Sequence, residues 1–134
     1  MDRDEILQMF EGDCGERVFW ISTCDGMPHL APVCFVRYMD GRIVVAYNFI
    51  KRTVRNVEKS ERASIGFAER GEKGFYGYMV KGRAWVDYGG MYYSEIRKFV
   101  QEKSKGRRIP KGALVIEPEE IYSLSPGEGK KKIY

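Results

Sequence analysis

The sequence predicts a mainly β fold of the α+β kind: a small, six-stranded antiparallel barrel with flanking helices. Three observations predict it. Six short runs are rich in β-branched and aromatic residues, the composition of pleated, half-buried strands. Two Asp-Gly pairs, Asp25-Gly26 and Asp40-Gly41, separate the first three runs and mark tight hairpin turns. Glycines recur inside the fifth run, where barrels need bulges or sharp bends. An open sandwich fits the same pattern.

The elements follow in order. Residues 2–10 read as a short helix, with Asp2 and Glu5 at capping-box spacing and Ile6, Leu7 and Phe10 on one apolar face. Residues 17–24 (RVFWISTC), 28–38 (PHLAPVCFVRY) and 42–48 (RIVVAYN) read as three strands of one antiparallel meander. Pro32 cannot donate a ladder hydrogen bond, so the second strand lies at an edge or is bulged there. A helix is expected over residues 53–60, with Thr53 as N-cap and Asn56 at its third position. Residues 62–69 and 74–88 supply the fourth and fifth strands. Residues 91–103 form an amphipathic helix with Tyr92, Ile96, Phe99, Val100 and Lys103 along one side. Residues 112–125 form the last strand, broken near Pro118.

The chain of 134 residues is long enough for one core, so residues 1–134 are expected to be a single domain, residues 1–12 carrying the first helix and 126–134 a polar tail. With 43% hydrophobic and 31% charged residues it is expected to fold as a globule. A formal charge of +4, with both signs interleaved, permits an anionic partner without demanding nucleic acid. No apolar leader and no bilayer-length stretch is present, which points to a soluble, cytoplasmic protein. Cys14, Cys24 and Cys34 are far apart, and His29 is the sole histidine, so no metal site is expected. Cys24 and Cys34 lie in apolar runs and read as small buried thiols. One histidine cannot build a Ser-His-Asp set, and no Walker or dinucleotide glycine motif occurs.

The stretch YNFIKRTVRNVEKSERASIGF, residues 47–67, concentrates the functional signal. Lys51, Arg52, Thr53 and Arg55 arrive where a strand gives way to a helix. Amides at a helix start are unpaired and partly positive, which suits a phosphate. Arg52 can bind phosphate in a bidentate way, and Lys51 adds a point charge. The same cations also read as a solvated helix face, with Glu58 and Glu61 as local partners. Asn48 at the strand end and Asn56 in the helix each fit either a backbone tie or a ligand contact.

The order of these pieces resembles the FMN-binding split β-barrel superfamily, the pyridoxamine 5'-phosphate oxidase-like and small FMN-binding proteins. The resemblance rests on STCDGMPHLAPVCFVRYMDGRIVVAYNFIKRTVRNVEKSERASIGF, then GYMVKGRAWV, then PKGALVIEPEEIYSLSPG, and spans most of residues 18–127. It implies a split barrel and a homodimer with FMN at the subunit interface. Lys51, Arg52 and Thr53 match the residues that hold the phosphate, and Asn56 matches the asparagine of the helix. The ring system would lie against main chain near Pro32, Val33, Cys34, Tyr47 and Asn48. Arg55 matches no assured role. The tail GEGKKKIY lacks the Arg- and His-bearing substrate segment of true pyridoxamine phosphate oxidases, so that reaction is not expected.

A flavin-dependent oxidoreductase or electron carrier is the implied function, with the small-molecule or protein redox partner unspecified. A reductase using the deazaflavin F420 on the same fold is the first alternative. A barrel module for single-stranded nucleic acid is the second, and its cations are diluted by interleaved glutamates. Haem would need an axial ligand from His29, a tyrosine, a cysteine or a methionine. No side chain is singled out as a catalytic acid or base, and Tyr76 and Tyr78 are read as barrel-surface or dimer-contact residues, with cavity lining as the alternative.

Overall fold

The computed structural model describes residues 1–15, 17–126 and 132–134. In chain order the elements are α1 (Arg3–Leu7), β1 (Gly12–Asp13), β2 (Phe19–Asp25), β3 (Met27–Val33), β4 (Phe35–Met39), β5 (Arg42–Tyr47), α2 (Lys51–Ser60), β6 (Arg62–Gly71), β7 (Gly74–Asp87), α3 (Met91–Ser104) and β8 (Gly112–Ser123). The strands form one antiparallel sheet in the order β1-β4-β5-β8-β7-β6-β2-β3. The class is the expected one, a curled antiparallel sheet with few helices around it. Most of the tail, residues 127–131, lies outside the described residues.

Among the described residues the sheet has eight strands, not six. Two local facts account for the difference. Gly12 and Asp13 add a two-residue strand against Val36 and Phe35. The expected second strand divides at Cys34, its first half pairing with β2 and its second half with β5. The three strands are therefore not a simple meander. β3 and β4 stand near opposite ends of the sheet order, separated in sequence by Cys34 alone. Chain continuity, not a ladder, joins the two ends at this point, and that is the split in the barrel. Pro32 lies on β3, whose only ladder partner among the described residues is β2, so the position lacking an N–H lies on an edge strand as expected.

Turn chemistry fixes the hairpins. Met39 and Arg42 pair across Asp40 and Gly41, whose φ values of 56° and 82° are those of a type I′ turn. Gly77 lies opposite Ala68, and a Cβ there would overlap the Phe67 carbonyl oxygen. At Gly82 the register shifts, and Glu119 is left out of the ladder beside Pro118. The expected break at Pro118 is thus a bulge within a continuous β8.

The barrel interior is closed by Phe10, Phe19 and Phe67, with ring centroids 5.4–5.7 Å apart. The α1 residues Ile6 and Leu7 plug the same core, and Asp2 and Glu5 form the expected capping box. β5 is buried on both faces: Ile43 and Val45 point into the barrel, while Val44 and Ala46 meet Ile96, Phe99 and Val100 of α3. Each such large apolar side chain contributes about 1.5–3 kcal/mol by leaving water. No helix among the described residues is long and apolar enough to cross a membrane.

Candidate functional site

α2 begins two residues earlier than the sequence pattern suggests, at Lys51. Lysine and arginine are good helix formers, so the helix propagates back through them to Ile50. Thr53 is therefore not the N-cap. Ile50 holds that place, without a side-chain cap and without an acidic residue in the first turn. The first ladder bond runs from the Val54 N–H to the Ile50 carbonyl, 2.9 Å. The amides before it lie outside the helical ladder and carry the positive end of the helix dipole.

Thr53 is fully buried, and its hydroxyl is the one buried side-chain polar atom among the described residues that has no partner. One helical turn on, Asn56 is 3% exposed and donates from Nδ2 to Thr23 Oγ1 at 3.1 Å. Asn56 is thus the sixth residue of α2, not the third, and it ties the helix to β2 rather than to its own loop. Thr53, Asn56 and Thr23 are the buried polar residues of the chain's described part. Lys51, Arg52 and Arg55 are exposed on the other side of α2.

The remaining predicted residues gather around the sheet ends. Tyr47 closes β5, opposite Gly112, and its carbonyl accepts from the Lys111 N–H at 2.8 Å. Asn48 follows, half-buried. Pro32 and Val33 end β3, paired with Trp20 and Phe19. Cys34 is not a free buried thiol: it is joined by a disulfide to Cys14, with Cα atoms 4.4 Å apart. Cys24, expected to be buried, is exposed and free. It sits opposite Pro28 on the outer face of the β2–β3 hairpin, where register points it to solvent. His29 is half-buried on β3.

Sequence reasoning passed over three features near this site. Phe49 is 80% exposed, and the Arg108 guanidinium lies 5.1 Å from its ring centroid. The segment from Lys103 to Lys111 holds five cations and no acid, a signal the sequence does carry. The Tyr88 hydroxyl donates to Glu58 Oε2 at 2.8 Å, and burial together with that bond pushes its pKa up to about 12. Tyr76 donates to Glu69 Oε1 at 2.6 Å, and Tyr78 packs on Phe67, so neither faces the first turn of α2. A cavity of about 410 Å³ opens elsewhere, between Ser22, Ser64, Lys81 and Glu120 on the outer sheet face.

Taken together, the site has two layers. Exposed cations at the start of α2 can meet a dianion, and the Thr53 hydroxyl, buried on the inward face of the same turn, is a donor without an acceptor among the described residues. These are the donors a phosphate group needs. The arrangement supplies binding and orientation.

Residues 3–125 match the family model described as pyridoxamine 5'-phosphate oxidase. The uncharacterized protein MJ0282 of Methanocaldococcus jannaschii is 27% identical over 135 residues, covering 97% of this chain and 85% of that protein. Among solved structures, HupZ of Group A Streptococcus superposes with a TM-score of 0.74 at 24% identity, over 95% of this chain and 97% of that one. An FMN-binding protein from Syntrophomonas wolfei gives 0.72 at 18% identity, over 91% and 88%. A FAD-binding protein from Mesorhizobium loti gives 0.63 at 18% identity, over 90% and 88%.

Proposed function

The chain belongs to the pyridoxamine 5'-phosphate oxidase family of split β-barrels, and we propose that it is an FMN-binding flavoprotein acting as an oxidoreductase or electron carrier. The observation that carries this reading is the unpartnered, fully buried Thr53 hydroxyl in the same turn as exposed Lys51 and Arg52. The structural likeness to an FMN-binding protein supports the choice of flavin. When bound, FMN supplies the electron transfer through its ring system.

The chain's own residues do the rest. Arg52 and Lys51 neutralise the phosphate, and the first-turn amides and Thr53 donate to it. Asn56 holds α2 against β2 through Thr23, which keeps that turn in place. Main chain near Pro32, Val33, Cys34, Tyr47 and Asn48 orients the ring. A second copy of the chain completes the site. Trp20, Leu30 and Pro32 lie exposed on one face of the β2–β3 hairpin, with Trp20 paired to Pro32, and β3 leaves its outer edge open. Such an apolar face beside a free edge is the surface a homodimer covers.

The test is a titration followed by flavin fluorescence, with FMN, riboflavin and F420 in parallel. FMN binds, and Arg52→Ala weakens it by about tenfold while sparing riboflavin, which has no phosphate. Equal loss for both ligands removes the phosphate assignment, and binding of F420 in place of FMN shifts the cofactor to the deazaflavin.

A further inference from the structure

A second cavity, of about 350 Å³, opens beside the Cys14–Cys34 disulfide. Both cysteines line it. So do Lys103, Lys105, Arg107 and Arg108, from the end of α3 and the loop beyond it. No acidic side chain lines it among the described residues, and none of these four cations has a carboxylate partner there. Lys103 lies 5.9 Å from the Phe99 ring centroid and Arg108 5.1 Å from that of Phe49, so aromatic faces hold two of them without neutralising them. Cys14 has φ 77°, a left-handed backbone that residues with a Cβ rarely adopt. The disulfide is thus reachable from solvent through a cavity in which every charged side chain among the described residues is a cation.

Thiol–disulfide exchange needs a thiolate to approach and a thiolate to leave. Neighbouring cations stabilise both. We propose that Cys14–Cys34 is an exchange site for small anionic thiols, those bearing a carboxylate or sulfonate. One thiolate attacks one sulfur of the pair. The S–S bond breaks, a mixed disulfide forms, and the other cysteine leaves as a thiolate. A second small thiolate attacks the mixed disulfide and departs as the small-molecule disulfide. The protein pair gains two electrons, the two small thiols lose them, and the cysteine thiolates take protons from water. The anionic tail of the small thiol rests among Lys105, Arg107 and Arg108. Opening the bond frees β1, which among the described residues pairs with β4 through Gly12↔Val36 and Asp13↔Phe35.

This site does not depend on the flavin reading, because the exchange involves the two side chains and the cavity alone. The experiment uses the full chain carrying Cys24→Ser, so that every new thiol comes from Cys14 or Cys34. Reduction is followed by alkylation and mass spectrometry, with 2-mercaptoethanesulfonate and neutral 2-mercaptoethanol at equal thiolate concentration. At low salt the sulfonate reacts about tenfold faster. That advantage collapses towards one at roughly 1 M salt. It collapses likewise in Arg107→Gln/Arg108→Gln, whose altered residues are exposed. Equal rates for the two thiols at low salt overturn the proposal. So does alkylation of both cysteines in protein that has seen no reductant.

Discussion

Thr53→Val separates the fold from the site with one atom. The side chain is fully buried, and its hydroxyl has no partner among the described residues. An unmade buried hydrogen bond costs about 1–3 kcal/mol. Valine keeps the β-branched shape, has nearly the same helix propensity and adds an apolar methyl worth about 0.8 kcal/mol. The ligand-free variant should therefore be more stable by about 1–2 kcal/mol, which in a domain of this size raises Tm by roughly 3–8 °C. The phosphate contact changes in the opposite direction. A hydrogen bond to a charged group is worth about 1.5–3 kcal/mol, so FMN affinity should fall roughly ten- to hundredfold while riboflavin affinity stays. Calorimetric melting of the ligand-free protein and fluorescence titration read the two effects separately. A variant that melts lower shows that the hydroxyl is satisfied in the folded protein. A variant that melts higher but binds FMN as before shows that the hydroxyl is a defect of packing and not a ligand.

Two further outcomes test the frame around the site. Glu69 is held by Arg17 Nε and Nη2, at 2.8 and 2.9 Å, and by the Tyr76 hydroxyl, which lower its pKa from 4.5 to about 2. Its contribution to stability is complete above pH 4.5 and disappears as pH falls towards about 2. Glu69→Gln should lower the urea midpoint at neutral pH and flatten its acid slope in that window, and an unchanged slope means that the pair contributes nothing. Gly77→Ala should lose about 3 kcal/mol, because its Cβ would overlap the Phe67 carbonyl oxygen in the facing strand. A urea midpoint equal to that of the unaltered protein would mean that β7 shifts freely past β6.

Local chemistry made much of the fold readable. Asp40 and Gly41 adopt the positive φ values that an Asp-Gly turn implies, and Asp2 and Glu5 form the capping box their spacing implies. Pro32 announced an edge strand for a local reason, the missing N–H. The division at Cys34 was not readable, because Ala-Pro-Val-Cys-Phe-Val continues one apolar run while the ladder partner changes from β2 to β5. Periodicity records which residues face the core and is silent about which strand lies alongside. The Cys14–Cys34 pairing is hidden for a related reason, since connectivity depends on where β1 meets β4 and not on spacing.

The site was readable to the same depth. Lys51 and Arg52 announce themselves by charge, and they are exposed in the first turn of α2. Thr53 was expected to cap that helix because threonine does so wherever the backbone alone decides. Here the backbone does not decide alone: Val54, Asn56 and Val57 also face inward, and the contact that orders this face is Asn56 on Thr23, 33 residues away in sequence. Tertiary packing turned the threonine from the rim of the helix start into the protein interior. A hydroxyl at the rim could always turn to water, so its ligand would be one acceptor among many. A fully buried hydroxyl has no such alternative, and that makes Thr53, more than the exposed cations of the same turn, the residue whose chemistry requires a partner.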